Sequence, residues 1–558
     1  MKYSKLSRYE VMALAVILCG VVLRLFLIAH DWPLSNSDEG TMGIMALHIA
    51  NQGAHPIFLD GQNYLGAWQA YLGAALFRLF GTSLFSLRLG LLLMTTLFLL
   101  SSYALARLLY SRKLALITII LLSFGSAYVL TWQLVASGGY PETLLCSSTV
   151  FMLASWLALS FRPDAPWHHH LGRRCAGYLC WGLVVGWGIW GQLLVLPFVA
   201  ASALLLVLCC WKEIVRALSP LAALIGSLVG AFPILWYNLH AAPGQDSLSI
   251  LRGIEAGSPG KTHAVLLGLL NTFQISVPMM TGEPFCPVND FSFLGLTSPP
   301  SVQCTIVHDI WGWGYLVVLI VAFALAAVRS VYYWRRRPCP EELPSERRRR
   351  ILSLARLLLL ACAALTLYSF SVSAAPISFA GSHGRYLIGL LVATPALVWP
   401  LYEVAKYAKG QVGRWRKIAG IACAGVLVGV TIMTLIGTVI TLEEVSSVQA
   451  GYQHDQTFIS QLLSIGAVHI YTDYWTCDKI AFESQERVIC GVVDANLRPT
   501  HNRESRYYQI VSQDKNAAYA FLPSEMPPAL VRLIAHDRAN YRHFVFQGYD
   551  VYQPIIKT

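Results

Sequence analysis

Two adjacent carboxylates, Asp38 and Glu39, stand just past the first long apolar run, in the stretch SNSDEGTMGIMALHIANQG. Charges beside a membrane are costly to hold near lipid unless they have a task or a partner, so the pair is a candidate for proton transfer. A plainer reading stands beside it: Ser37 or Asp38 can cap a helix that starts near Gly40. Glu142, in SGGYPETL, is a third acid of this kind, suited either to hydrogen-bonding a polar ligand or to favouring a helix N-terminus. Arg385, in SHGRYL, enters an apolar run, where its guanidinium can pair with a phosphate or snorkel to lipid headgroups. Tyr64, Gln69 and Tyr140 can line a pocket, stacking on a ligand and hydrogen-bonding it, or serve as ordinary interfacial residues.

The elements that must position these residues are membrane spans. Of 558 residues, 56% are hydrophobic and 13% charged, which excludes an ordinary soluble protein. Runs of the length that crosses hydrocarbon lie near 11–29, 84–109, 114–132, 141–160, 176–192, 193–211, 218–237, 311–333, 351–370, 386–404 and 418–442. These are eleven expected spans. The first run is too long for a signal-peptide core and lacks a small-residue exit, so it is read as retained.

The net charge of +11 is a topology signal rather than a nucleic-acid footprint, because Lys and Arg gather in alternate loops. Arg107, Arg112, Lys113, Arg173, Arg174, Arg335–Arg337, Arg347–Arg350 and Arg414–Lys417 fall on one side, whereas residues 30–66 hold no Lys or Arg. The N-terminus is therefore expected in the cytoplasm, and Asp38 and the C-terminal residues outside, in a multi-pass protein of a bacterial plasma membrane. The expected domains are 1–442, a transmembrane bundle, and 443–558, a small extracytoplasmic α/β domain in which runs such as 467–471, 488–490 and 517–522 alternate with helical stretches. Residues 40–52 and 64–80 read as surface helices bracketing the acidic pair, and 263–280 as a helix at or dipping into the interface.

Most of the 13 cysteines lie in spans or inner loops. Cys286, Cys304, Cys477 and Cys490 lie outside and form no CxxC pair, so disulfides are the better reading than a metal. Local pairing, Cys286 with Cys304 and Cys477 with Cys490, is favoured by the short loops that it closes. The His168-His169-His170 run reads as solvated.

A first span, an outward Asp-Glu, two surface helices and a Phe-Arg-Leu-Phe-Gly turn into a second span carrying Arg88 resemble the GT-C membrane glycosyltransferases. The nearest branch is that of protein O-mannosyltransferases and bacterial aminoarabinose transferases. DEGTMGIMALHIANQG, AYLGAALFRLFGTSLFSLRL and HGRYLIGLL carry the resemblance. It implies transfer of a sugar from a polyprenyl-phosphate-linked donor to an acceptor hydroxyl of a lipid, glycan or protein on the outer face. Asp38 would act as general base beside Glu39, and Arg385 would meet the donor phosphate. The family's phosphate-binding lysine has no counterpart in NYLGAW, so that role rests on Arg385 or Arg88. No metal-ligand cluster lies near Asp38, and no cofactor beyond the donor substrate is expected. A transporter or flippase of a lipid-linked sugar, and a non-catalytic glycan-binding scaffold, are the rival readings.

Overall fold

A computed structural model of the chain describes residues 7–162, 171–216, 219–256, 265–286, 301–336, 343–410 and 413–555. His168-His169-His170 lie outside them. The fold is a predominantly helical membrane bundle with a small sheet formed near the C-terminus. Among the described residues eight helices are long and apolar enough to cross a membrane, or ten if each of two bent pairs is one span.

One bent pair is Arg112–Ser123 with Ala127–Leu134, turned by 84°. A helix broken at membrane depth must satisfy its freed backbone groups internally. Here the Gly125 amide donates to the Thr438 hydroxyl at 3.1 Å. Of the eleven expected spans, the one at 176–192 is a helix, Leu171–Gly191, that carries Arg173, Arg174 and several glycines and is not among those eight or ten. Those glycines serve packing. A Cβ added at Gly182 would lie 2.0 Å from the Ala223 carbonyl oxygen, and one at Gly186 2.3 Å from that of Ser227. Helices Leu171–Gly191 and Ser219–Gly230 thus meet backbone to backbone, which small residues permit in an apolar medium.

The chain divides into two compact units. The first holds the described residues up to Leu23, of Leu93–Gln133 and of Tyr140–Leu442. Its core joins aromatic and aliphatic side chains such as Phe98, Phe151, Phe198, Leu359 and Leu387. The segment 265–281 belongs here as two short helices joined by a π turn, Thr272–Ser276. It packs against Gly312, where a Cβ would strike the Phe273 carbonyl oxygen. Cys286 is bonded to Cys304, with Cα atoms 5.6 Å apart.

The second unit holds the described residues of Arg24–Leu92, Leu134–Gly139 and Glu443–Thr558. The boundary expected at 442/443 is one of its edges, but residues 24–92, with the loop after the first span, belong to it as well. A five-stranded sheet runs in the order Ile489–Val492, His469–Thr472, Ala518–Phe521, Tyr549–Pro554, Tyr541–Phe546. The first three strands are parallel and the last two form an antiparallel hairpin. Helix Tyr474–Glu483 follows the second strand in this row and is stapled to the first by the Cys477–Cys490 bond.

That helix lies directly on the acidic helix, Ser37–Gln52. Gly40 and Gly43 make the contact possible: a Cβ at Gly40 would stand 2.3 Å from the Asp478 carbonyl oxygen, and one at Gly43 2.5 Å from the Phe482 ring. The acidic helix is therefore buried over most of its length, whereas a surface helix would leave one face open. Residues 64–66, expected at the start of the second loop helix, belong instead to a short strand, Gln62–Gly66, and that helix runs Trp68–Phe80.

Candidate functional site

The expected site residues fall into two groups, one in each unit. Asp38, Glu39, Tyr64, Gln69 and Arg88 lie in the second unit, and Tyr140, Glu142 and Arg385 in the first.

In the second unit the acidic helix begins at Ser37, three residues before the expected start near Gly40. Its N-cap is Asn36, whose side-chain oxygen accepts from the Glu39 amide at 3.0 Å. Neither Ser37 nor Asp38 caps it, and both carboxylates stand in its first turn. Successive residues on a helix point about 100° apart, so the two acids enter different surroundings.

Glu39 points inward. Its carboxylate receives Arg88 Nε at 2.9 Å and Nη2 at 2.6 Å, and also the Ala136 amide at 3.1 Å. Arg88 completes its donors on the Asp31 carbonyl at 2.9 Å. Both side chains are 0% exposed. This bidentate pair ties the acidic helix to helix Leu84–Leu109 and to residues 134–139. Glu39, expected beside the acceptor, and Arg88, expected on a phosphate, are thus each other's bidentate partners in this structure.

Asp38 points the other way and keeps 19% of its side chain exposed. It accepts from Arg503 Nη2 at 2.8 Å and from the Tyr474 hydroxyl. Arg503 also donates to Tyr474 at 3.0 Å and to the Asp60 carbonyl at 3.3 Å. The Gln62 amide oxygen, in the orientation that satisfies both groups, accepts from the same guanidinium at 3.0 Å. Burial and the neighbouring Asp38 push the Tyr474 hydroxyl well above the ordinary tyrosine range, so it stays protonated and donates. Arg503 and Tyr474 escape sequence reading, because nothing local ties either one to a residue more than four hundred positions away. Tyr64 sits in strand Gln62–Gly66, and Gln69 is buried in the first turn of Trp68–Phe80.

The same unit holds further acids whose carboxyls are pushed up, Asp478 buried and Asp60 and Glu483 half-buried. Asp478 accepts from the Thr41 hydroxyl at 2.7 Å, and burial pushes its carboxyl up to about 6. Burial, with Glu504 nearby, pushes Asp60 up to about 6, and burial with Asp455 pushes Glu483 to about 7. In each case the folded value lies above the unfolded one, so the folded state holds the proton more tightly. The stability gained is fully present below about pH 4 and is lost as pH rises through 6 and 7. Glu486 is shifted the opposite way, held down by His48 and Tyr507, so its contribution is lost only at lower pH. This unit is expected to melt at higher temperature at pH 5 than at pH 7.5, with Asp478→Asn flattening the slope. Thermal unfolding followed by tryptophan fluorescence across that range is the measurement, and a flat wild-type profile counts against these buried acids.

In the first unit, Arg385 is ringed by aromatics. Its guanidinium carbon lies 4.8 Å from the ring centre of Trp132, 5.4 Å from Tyr386 and 5.9 Å from Tyr140. Nη1 donates to the Ser382 hydroxyl at 3.0 Å. Such rings hold a guanidinium in place by cation–π attraction while leaving its in-plane donors directed elsewhere. Tyr140 is thus a wall of the Arg385 setting, packed edge-on to Trp132 at 5.2 Å. Glu142 is buried in the first turn of helix Tyr140–Ser160, beside Gly191.

Among the described residues two groups of side chains have a spacing that suits a cation: Glu283, Cys286 and His308, and Cys477, Asp478 and Cys490. Every cysteine in them is disulfide-bonded and offers no thiolate. His308 instead bridges the Glu283 carboxylate at 3.0 Å and the Gln274 carbonyl at 2.9 Å.

No protein-family model and no curated protein matches the sequence. Among solved structures, ArnT from Cupriavidus metallidurans in the apo state matches with a TM-score of 0.55 at 13% identity, over 98% of this chain and 97% of that one. AglB, the archaeal oligosaccharyltransferase from Archaeoglobus fulgidus, in complex with an inhibitory peptide and a dolichol-phosphate, matches at 0.48 and 12%, over 97% and 74%. The likeness to ArnT, an aminoarabinose transferase, is one of fold: the chain is an integral membrane protein with the GT-C architecture.

Proposed function

We propose, from the premise of this fold, that the protein transfers a sugar from a polyprenyl-phosphate-linked donor to an acceptor hydroxyl, with Asp38 as the general base. The observation that carries the proposal is the division of labour between two neighbouring carboxylates. Glu39 is sealed and neutralised by Arg88, while Asp38 remains partly open on a hydrogen-bonded platform. Environments that separate paired acids in this way assign one to structure and leave the other for chemistry.

In the reaction, the acceptor oxygen attacks the anomeric carbon, its proton passes to Asp38, and the bond to the lipid phosphate breaks. Arg503 and Tyr474 position the Asp38 carboxylate. The departing phosphate gains negative charge, and Arg385, held in its aromatic ring, is the cation suited to it. Donors of ArnT and AglB type, lipid-phosphate-linked, fit this reading. Mass spectrometry of envelope lipids, glycans and glycoproteins with and without the gene tests it, since one class should lose a hexose or pentose. An unchanged profile in all three classes counts against transfer.

Arg385→Ala should raise the donor KM by about tenfold or more, the equivalent of losing charge-assisted hydrogen bonds. Arg385→Lys should recover only part of that, because a point charge lacks the planar fork. A donor KM unchanged in the alanine variant removes Arg385 from phosphate recognition.

The proposed orientation places Asp38 and the sheet on the outer face. Reporter fusions after Tyr237 and after Leu442 should both give the outer-side signal. A cytoplasmic signal after Leu442 would mean that one span is miscounted, with 265–281 the first segment to re-examine.

A further inference from the structure

We propose that a cavity of about 150 Å³ at the arginine-rich end of the first unit binds a phosphate-bearing anion, supplied in the membrane by an anionic phospholipid headgroup. It lies among helices Val302–Arg335, Leu343–Ser371 and Thr394–Ala405. Its polar and aromatic wall is Arg329, Arg349, Arg356, Tyr333, Ser353 and Trp399. None of these belongs to the residues assigned to sugar transfer.

The arginines at this end are not equivalent. Arg347 donates to the carbonyls of Phe161 and Cys209, and Arg350 to those of Tyr333 and Arg336, so these two close orphan helix ends. The cavity arginines are arranged otherwise. Arg329 and Arg356 stand over the same indole, 4.6 and 5.1 Å from the ring centre of Trp399. Arg356 touches Tyr110 as well, at 4.7 Å, and gives Nε to the Leu109 carbonyl at 3.0 Å. Arg329 has no carboxylate partner among the described residues.

The nearby acids are already engaged. Glu346 takes Arg349 at 2.8 Å and Arg336 at 3.1 Å, and Glu403 takes Lys406 at 2.7 Å. Two like charges converging on one ring, Arg329 and Arg356, repel one another unless an anion lies near them. Guanidinium groups are suited to phosphate, and basic pockets between spans beside interfacial Trp and Tyr are suited to anionic headgroups. The cavity is small against the 300–1,000 Å³ or so of a whole-ligand pocket, which favours a headgroup phosphate over a nucleotide.

Native mass spectrometry of the purified protein, exchanged into mixed phosphatidylglycerol and phosphatidylcholine, tests this. Wild type should retain phosphatidylglycerol about tenfold more than phosphatidylcholine, and Arg329→Gln with Arg356→Gln should abolish that preference. Because Arg356 also holds a main-chain carbonyl, Arg329→Gln alone is the control that keeps the fold. It should still weaken retention several-fold at unchanged melting temperature. A second arm adds millimolar inorganic phosphate. Displacement of the lipid by phosphate, or phosphate retained without lipid preference and lost in Arg329→Gln, shows a phosphate site open to the free ion. Equal retention of both lipids and of phosphate by wild type and Arg329→Gln overturns the proposal.

Discussion

Asp38→Asn is expected to lower turnover by about 100-fold or more while leaving the donor KM and the melting temperature near those of wild type. The substitution keeps the shape and can still accept from Tyr474 and Arg503, but it cannot take a proton. Because Asn36 already caps the helix, no capping function of Asp38 confuses the outcome. Steady-state transfer on a lipid-linked donor, with thermal unfolding on the same preparation, gives both readouts. Near-normal transfer by a folded Asn variant would remove Asp38 from the chemistry and turn attention to Glu142.

The second large effect is on stability. Glu39→Ala strands Arg88, a fully buried guanidinium, with only the Asp31 carbonyl as partner. Removing one half of a buried pair costs about 3–5 kcal/mol, far more than the pair contributes when intact. Glu39→Ala should therefore yield little folded protein. Glu39→Gln, which keeps acceptors for Arg88 and the Ala136 amide, should fold and retain a measurable share of activity. The contrast with Asp38 is one of kind: the amide at 38 folds and is inactive, whereas the alanine at 39 fails to fold. Expression and melting temperature in detergent decide it, and a stable, active Glu39→Ala protein would contradict the sealed pair.

Up to ten of the eleven expected spans match helices long and apolar enough to cross a membrane, because length and apolarity are local properties, whereas Leu171–Gly191 was legible only as a helix. Strands 467–471, 488–490 and 517–522 were legible as short apolar runs. The hairpin Tyr541–Pro554 was not read, although its Gln547-Gly548 turn, with φ of 48° and 80°, is of a kind that favours tight hairpins. The site itself was half legible. The acidic pair declared itself by position, but which acid would face Arg88 depends on helix phase, and that depended on Asn36 rather than Ser37 or Asp38 as the cap. The partners of Asp38 were out of reach, since Arg503 is 465 residues away and no periodicity links them. The burial of the acidic helix was also hidden, because Gly40 and Gly43 read as poor helix formers until the backbone pressed against them is seen.

The seat of the Tyr474–Glu483 helix on those two glycines also fixes an order of events during synthesis. Glu39 meets Arg88 only 49 residues later in the chain, so that pair can close soon after the second long span is made. Thr41 and Asp478 are 437 residues apart, and at about 5–20 residues per second the ribosome needs roughly 20–90 s to supply the second. Over that interval the acidic helix has its anchor but neither its cover nor the two groups that orient Asp38. The nascent chain thus acquires its scaffold early and the partners of Asp38 late, so an interrupted translation product carries the fold's first lock without the Tyr474 and Arg503 contacts that hold the Asp38 carboxylate.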